Sequence, residues 1–386
     1  MQRLVSHGFL DISLNETMSN LCDVMPHAKE IARIGREQMI NGKGWRFLDR
    51  SLGPPNQYVG WHIADLFREG TYGKIFHAMR MVVGRREDGR FDVVEKPHEV
   101  IVKQTIPPHA GSLPADEVTA HISEALLHVL AWQIMQRTLT PWAIPQPYEV
   151  FGEPGASGGL HSAWKTISLS MSYVQGRTLY AYLQKAWKRD TKEENGAILL
   201  EILAQLSYIL YHMQRYLRLN HRDVKVNNIM IRLREEPLIL ELDGVVLVTQ
   251  YEVTLIDFGF ACVGCPPPRA PMTVFQAGSW FPMGDLCCKL GRDLAQLLFC
   301  IHCYFPLEQY LPVALYDTVK GWMQISWTGG VANALAGFSK DGKPKVAAGP
   351  IEYDTGIYEF LRRPDVDPVA CEPLTMFKAC ARLMMP

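Results

Sequence analysis

The chain has 386 residues, 48% hydrophobic and 20% charged, with 39 basic residues against 40 acidic ones. That is ample core for one large domain or two ordinary ones, and the near-zero net charge gives no electrostatic argument for a nucleic-acid or membrane partner. No uninterrupted apolar run approaches the roughly 20 residues of a membrane span, and the start lacks a signal-peptide apolar core, so an intracellular, cytoplasmic setting is expected.

In chain order, residues 1–57 read as an N-terminal extension, with a helix expected from about Met18 to Ile40 and broken by Gly42, Gly44 and Pro54-Pro55. Such a segment can pack on the neighbouring domain or bind a partner. The stretch Phe67 to Phe76 reads as strand–turn–strand around Gly70 and Gly73, glycines that let backbone amides approach phosphates without side-chain interference. A charged insertion from Gly84 to His98 leads into the apolar run Val100-Ile101-Val102-Lys103. A lysine ending an apolar strand calls for an anionic partner. The helix expected from Asp116 to Met135 carries Ile122, Leu126, Val129, Leu130 and Ile134 at helical spacing. Glu124 sits beside those apolar positions and is the favoured partner, with Glu117 the alternative.

A glycine-rich loop is expected over Gly152 to Ser162, followed by a strand that includes Ile167 to Val174. Helices are expected over Leu179 to Trp187 and Ala197 to Tyr216, the second apolar nearly all round and therefore buried. Then comes the stretch with the most chemistry, Leu219 to Ala261. It opens with His221-Arg222-Asp223-Val224-Lys225-Val226-Asn227-Asn228 and closes with Leu255-Ile256-Asp257-Phe258-Gly259. Two carboxylates, an ammonium and an amide on the ends of apolar segments suit phosphoryl transfer, which needs a proton acceptor, metal-holding oxygens and a cation. Between the two motifs, Asp243-Gly244 separates two apolar runs and signals a tight β-hairpin.

Beyond Gly259, Cys265 to Pro271 is too proline-rich for helix or central strand. Gly291-Arg292-Asp293 opens an apolar helix, Trp327 to Pro350 reads as a long loop, and a last helix is expected over Leu374 to Met384. Among the nine cysteines, Cys262/Cys265 and Cys300/Cys303 have the spacing of zinc ligands, but the second pair lies inside a helix-like run. The cysteines are therefore expected to be reduced core residues.

The motifs around Asp223 and Asp257 resemble the catalytic loop and metal-binding turn of protein kinases. The resemblance covers about Phe67 to Tyr304 and implies a two-lobed α+β fold: a small antiparallel-sheet lobe with one key helix over 58–174, a mainly helical lobe over 175–386, and ATP in the cleft between them. It implies Asp223 as base, Lys225 as charge partner, and Asn228 and Asp257 as Mg²⁺ ligands. Gly70 and Gly73 would belong to the glycine-rich loop, whose first family glycine is replaced here by Arg68. Lys103 would hold ATP phosphates and pair with Glu124. Met171 would be the gatekeeper, and the backbone of 172–174, with Tyr173 and Val174, would meet the adenine. Asp293 would support the catalytic-loop backbone. Arg222 could receive a phosphate from the activation segment, with Thr273 or Ser279 as acceptors.

The function implied is an ATP-dependent serine/threonine protein kinase acting on a protein hydroxyl, with Lys225 two residues after the base matching the serine/threonine pattern. A host cell or virion would be the setting if the chain is viral. Two alternatives stay open. No Ala-Pro-Glu closes the activation segment, where Gly278 to Pro282 stands instead, and this suits a small-molecule kinase on the same fold. Arg68 and the eroded substrate region suit a pseudokinase scaffold.

Overall fold

A computed structural model describes residues 45–48, 56–70, 73–105, 115–138, 140–154, 164–264, 272–278, 281, 285–327, 330–333 and 357–384. The protein is α+β, and the chain divides into two compact units: 1–125 with 146–173, and 126–145 with 174–386. The helix expected over 18–40, the tip residues Thr71 and Tyr72, the proline-rich run, Ser279 and most of the loops expected over 152–162 and 327–350 lie outside the described residues.

The first unit is built on a six-stranded antiparallel sheet. Its strands are β1 (Trp45–Leu48), β2 (Gln57–Gly70), β3 (Gly73–Arg85), β4 (Phe91–Gln104), β5 (Pro147–Pro154) and β6 (Trp164–Ser172), in the order β1-β2-β3-β4-β6-β5. Val59, Trp61, Ala78, Val82, Val100 and Val102 form an apolar cluster, with Phe151 stacked on Trp61 at 4.6 Å. The residues expected as a charged insertion, 84–98, instead extend β3 and β4 into a long hairpin turning at 86–90. Charges conceal this hairpin because they are paired: Arg86 with Asp92, and Glu95 with Arg80 (Nη1 to Oε2, 2.6 Å), which is itself buried against Glu149 (Nη2 to Oε1, 2.6 Å), a carboxylate that also accepts from Ser170 Oγ at 3.0 Å.

Helix α1 (Ala115–Arg137) runs from the first unit's residues into the second's. The second unit continues with β7 (Arg177–Thr178), α2 (Leu179–Ala186), α3 (Lys192–Leu217), β8 (Leu219–Asn220), β9 (Ile229–Leu242) and β10 (Val245–Leu255). Next come β11 (Cys262–Gly264), β12 (Thr273–Gln276), α4 (Arg292–Tyr304), α5 (Leu307–Tyr310), α6 (Val313–Trp322), β13 (Gln324–Trp327), β14 (Gly330–Asn333), a helix α7 over 357–362, and α8 (Pro373–Met384). Glu193 and Glu194 in the first turn of α3 and Arg215 in its last suit the helix dipole, and Arg218 ends it in the left-handed conformation (φ 54°). Among the described residues, α3 alone is long and apolar enough to cross a membrane by length and composition. Its apolar window is 78% buried in the core of this unit.

Two small sheets position the segments 221–228 and 255–259. In the sheet β10-β9-β7, Asp243 and Gly244 turn with φ of 52° and 76°, the positive pair that a two-residue hairpin turn requires. That hairpin ends at Ile229 and Leu255, opposite each other, so the residues just outside it, Asn228 and Ile256, leave the sheet side by side. In the sheet β12-β11-β8, the strand that leads into the loop 221–228 pairs with the strand that comes after Gly259. Here the expectation of reduced cysteines is corrected. Cys262 on β11 is disulfide-bonded to Cys287, 25 residues on. Cys287 belongs to neither CxxC pair, and the fold sets its Cα 6.6 Å from that of Cys262.

Candidate active site

In the first unit, Gly70 and Gly73 are opposite each other at the closed end of the β2–β3 hairpin. Gly73 has φ 154°, and a Cβ there would come within 2.3 Å of the Gln104 carbonyl oxygen, so close backbone approach requires glycine at this position. Arg68 is exposed on β2, opposite Ile75. Lys103, one register step from the end of β4, sits opposite Ile75 on one side and Leu169 on the other. Its Nζ lies 2.5 Å from Glu124 Oε1, with the carboxylate side chain 7% exposed and the lysine 19%. This is the pairing favoured over Glu117. His121 Nδ1 is 3.7 Å from the second carboxylate oxygen. Met171 lies on β6 between Ile101 and Pro147, half-buried. Tyr173 comes two residues later and meets the His77 ring at 5.4 Å. The Ser172 amide donates to Gln146 O at 2.8 Å, so that amide is already used. Val174 is the first residue of the second unit after the crossing.

In the second unit the loop after β8 gathers Asp223, Lys225 and Asn228. Asn228 Nδ2 donates to Asp223 Oδ2 at 2.8 Å and to its backbone oxygen at 3.0 Å. Lys225 Nζ is 3.0 Å from the same Oδ2, and the Asp223 side chain is 5% exposed. The amide of Asn228 thus uses its nitrogen on Asp223, leaving its oxygen as the atom able to meet a cation. The loop backbone is fixed from below. Asp293, in the first turn of α4 and fully buried, accepts from Asn220 Nδ2 (3.0 Å), His221 N (3.1 Å) and Arg222 N (2.9 Å). His221 is buried, which holds its pKa below the ordinary value although Asp293, Asp223 and Asp257 pull the other way. As a neutral ring it accepts from the Asp223 amide at Nδ1 (3.3 Å) and donates from Nε2 to Ile256 O (3.1 Å).

That last bond joins the loop 221–228 to the Asp257 turn, as does Ile256 N donating to Asn228 O at 3.0 Å. Asp257 adopts φ 69°, and Arg222 φ 65°. Left-handed backbone at a non-glycine residue costs about 1 kcal/mol or more and persists where surrounding structure fixes it, which concentrates at functional sites. Phe258 is fully buried, its ring 4.8 Å from His221 and 5.2 Å from His128. Among the described residues no three His, Cys, Asp or Glu side chains group to hold a metal by themselves. One carboxylate and one amide oxygen, Asp257 and Asn228, nonetheless fit Mg²⁺, which keeps waters and takes phosphate oxygens for the rest of its shell.

Arg222 and Thr273 meet otherwise than expected. Arg222 is fully buried, donating to Thr273 Oγ1 (2.7 Å) and Gln276 Oε1 (2.9 Å), while the Thr273 hydroxyl donates to Asp285 O (2.8 Å). Both groups are therefore engaged without a phosphate, and Thr273, 5% exposed, is no accessible acceptor. The Phe281 ring lies beside both the Arg222 guanidinium (4.9 Å) and the Arg292 guanidinium (5.0 Å). Burial and the nearness of Arg292 hold the Arg222 pKa down, to about 9. None of the three guanidinium nitrogens of Arg292 has a hydrogen-bond partner among the described residues.

Sequence reasoning missed Tyr358. It stands on α7, 135 residues from the base, and its hydroxyl donates a hydrogen bond to Asp223 Oδ1. No local motif marks it. A cavity of about 710 Å³, lined by Leu200, Val246, Leu247, Pro312, Leu315 and Met384 among others, lies away from all these residues. A scan against protein-family models finds no family that matches the chain, and a search of curated proteins finds no match either.

Proposed function

We propose that the chain is an ATP-dependent serine/threonine protein kinase, and that its two units are the small and large lobes of a protein-kinase-like fold. The observation that carries this reading is the buried Asp223 carboxylate, held by Asn228 and Lys225 in a loop whose backbone is fixed by Asp293. A carboxylate so oriented accepts the proton of an attacking hydroxyl. Lys225, beside it, balances charge on the moving phosphoryl group. Lys103, oriented by Glu124, holds the α and β phosphates, and Gly70 and Gly73 leave backbone amides open to them. Asn228 and Asp257 hold Mg²⁺, which when bound neutralises charge on the phosphate oxygens. Met171, Tyr173 and Val174 border the adenine.

The complete set of charged and amide groups favours turnover over a scaffold role, since a decayed site commonly lacks one of them. The test is γ-phosphate transfer from ATP with Mg²⁺ to a generic protein, comparing wild type with Asp223→Asn and Asp257→Asn. Transfer that both variants lose supports the reading. ATP binding without transfer to protein, but with turnover of a small alcohol, would move the assignment to a small-molecule kinase. Absence of ATP binding would leave a scaffold.

A further inference from the structure

The catalytic loop carries a hydrogen bond that the proposed chemistry does not use. On the side of Asp223 opposite Lys225 and Asn228, which both address Oδ2, the carboxylate oxygen Oδ1 accepts from the hydroxyl of Tyr358. A hydroxyl that donates to the base is in the relation an acceptor hydroxyl must have just before transfer. Tyr358 is not there by accident of a loose end. Its helix α7 is fixed by Ile357, Phe360 and Leu361, each 1% exposed or less. Lys289 Nζ caps the helix by donating to the backbone oxygens of Leu361 (2.8 Å) and Arg363 (2.6 Å). The Tyr358 ring meets Phe281 at 6.3 Å.

We propose that Tyr358 is an intramolecular phosphoacceptor of this site, an inference that rests on the kinase reading. The phenolic oxygen attacks the γ-phosphorus of ATP while the bond from that phosphorus to the β,γ-bridging oxygen breaks. ADP leaves with that electron pair, and the phenolic proton passes to Asp223. A tyrosine is accepted here although the loop suits serine and threonine, because a tethered hydroxyl gains effective molarity that an incoming one lacks.

The surroundings suit the product as well. A phosphate on Tyr358 brings two negative charges beside Asp223, which expels it from the base. Arg292 lies within electrostatic reach of the Tyr358 hydroxyl, is 1% exposed and has no hydrogen-bond partner among the described residues. Arg362 stands one helical turn along from Tyr358. A buried guanidinium without an acceptor is costly, and a phosphate would supply one. Phosphorylation thus both marks the chain and clears the acceptor position for another hydroxyl.

The experiment incubates the full chain with ATP and Mg²⁺ over a hundredfold range of protein concentration and maps phosphate by mass spectrometry. A generic protein substrate is assayed in parallel. The expected result is phosphate on Tyr358 at a fractional rate independent of protein concentration, absent from Asp223→Asn. Tyr358→Phe, which keeps the ring packing but leaves Asp223 Oδ1 without this donor, should still fold cooperatively, with a melting temperature lowered by a few degrees. It should phosphorylate the protein substrate about tenfold faster than unphosphorylated wild type, the scale of a lost hydrogen bond to a charged acceptor. Transfer to the protein substrate with Tyr358 left unmodified would overturn this inference and leave the kinase reading standing. Modification that speeds up in proportion to protein concentration would overturn the intramolecular route. Absence of transfer to any acceptor would remove both.

Discussion

The two charged groups of greatest interest are held in contrasting ways. At Oδ2, Asp223 takes its partners from its own loop, Lys225 two residues on and Asn228 five residues on; at Oδ1 it accepts from the distant Tyr358, and the loop backbone rests on Asp293. Lys103 is oriented by Glu124, 21 residues away, so its position depends on helix α1 lying correctly against strand β4. A carboxylate whose Oδ2 is held from its own loop keeps that geometry as long as the loop is folded. A lysine held between two elements loses its geometry whenever the helix shifts, so the two groups should respond differently to the same perturbation.

The sharpest break is at the base itself. Asp223→Asn should lower phosphoryl transfer by about a thousandfold, within the range for loss of a positioned general base, with little change in melting temperature. Asp293→Ala strips the acceptor from three buried donors and should destabilise the protein by roughly 3 kcal/mol in denaturant unfolding, since each unmet donor costs about 1–3 kcal/mol. If the loop were held by its own contacts alone, that variant would be nearly neutral. Reducing the Cys262–Cys287 bond frees a 25-residue loop in the unfolded chain and should remove about 3 kcal/mol, measured as unfolding midpoints with and without reductant.

The next effect is a pH dependence away from the site. His212 on α3 is buried with both ring nitrogens unpartnered among the described residues, and burial lowers its pKa to about 4. Its folded form resists protonation that the unfolded form accepts below about 6.5, so stability is full above that pH and falls as pH drops toward 4. Between pH 7 and 5 the loss should be about 2 kcal/mol, and His212→Phe should flatten it. The smallest effect is on the lysine. Glu124→Gln should raise the KM for ATP about tenfold with melting temperature nearly unchanged, the scale of one charge-assisted hydrogen bond. A kcat loss as large as that of Asp223→Asn would erase the contrast between the two groups.

Much of this arrangement was legible in the sequence because local rules set it. Helix α3 announces itself by apolar residues all round and the β9–β10 turn by Asp243-Gly244, whereas the supporting role of Asp293 is implied by the resemblance to protein kinases and not by any local rule. What escaped was set by tertiary pairing. Paired charges hide the β3–β4 hairpin, Glu95 with Arg80 and Asp92 with Arg86, and Cys287 pairs across 25 residues outside any spaced motif. Thr273 reads as a surface acceptor until β12 pairs with β11 and buries it, and Tyr358 reaches Asp223 from the far end of the chain. Such contacts depend on where elements land, which no single stretch of sequence encodes.

The Asp293 carboxylate has a consequence in time as well as in space. Loops ordinarily surrender their amide hydrogens to solvent within seconds or less, long before helices do. Here the amides of His221 and Arg222 are closed by a side chain of α4, fully buried, so they can open only when that helix leaves its place. In hydrogen exchange the catalytic loop would therefore be among the slowest segments of its unit, and its rate would serve as a clock for the unfolding of α4.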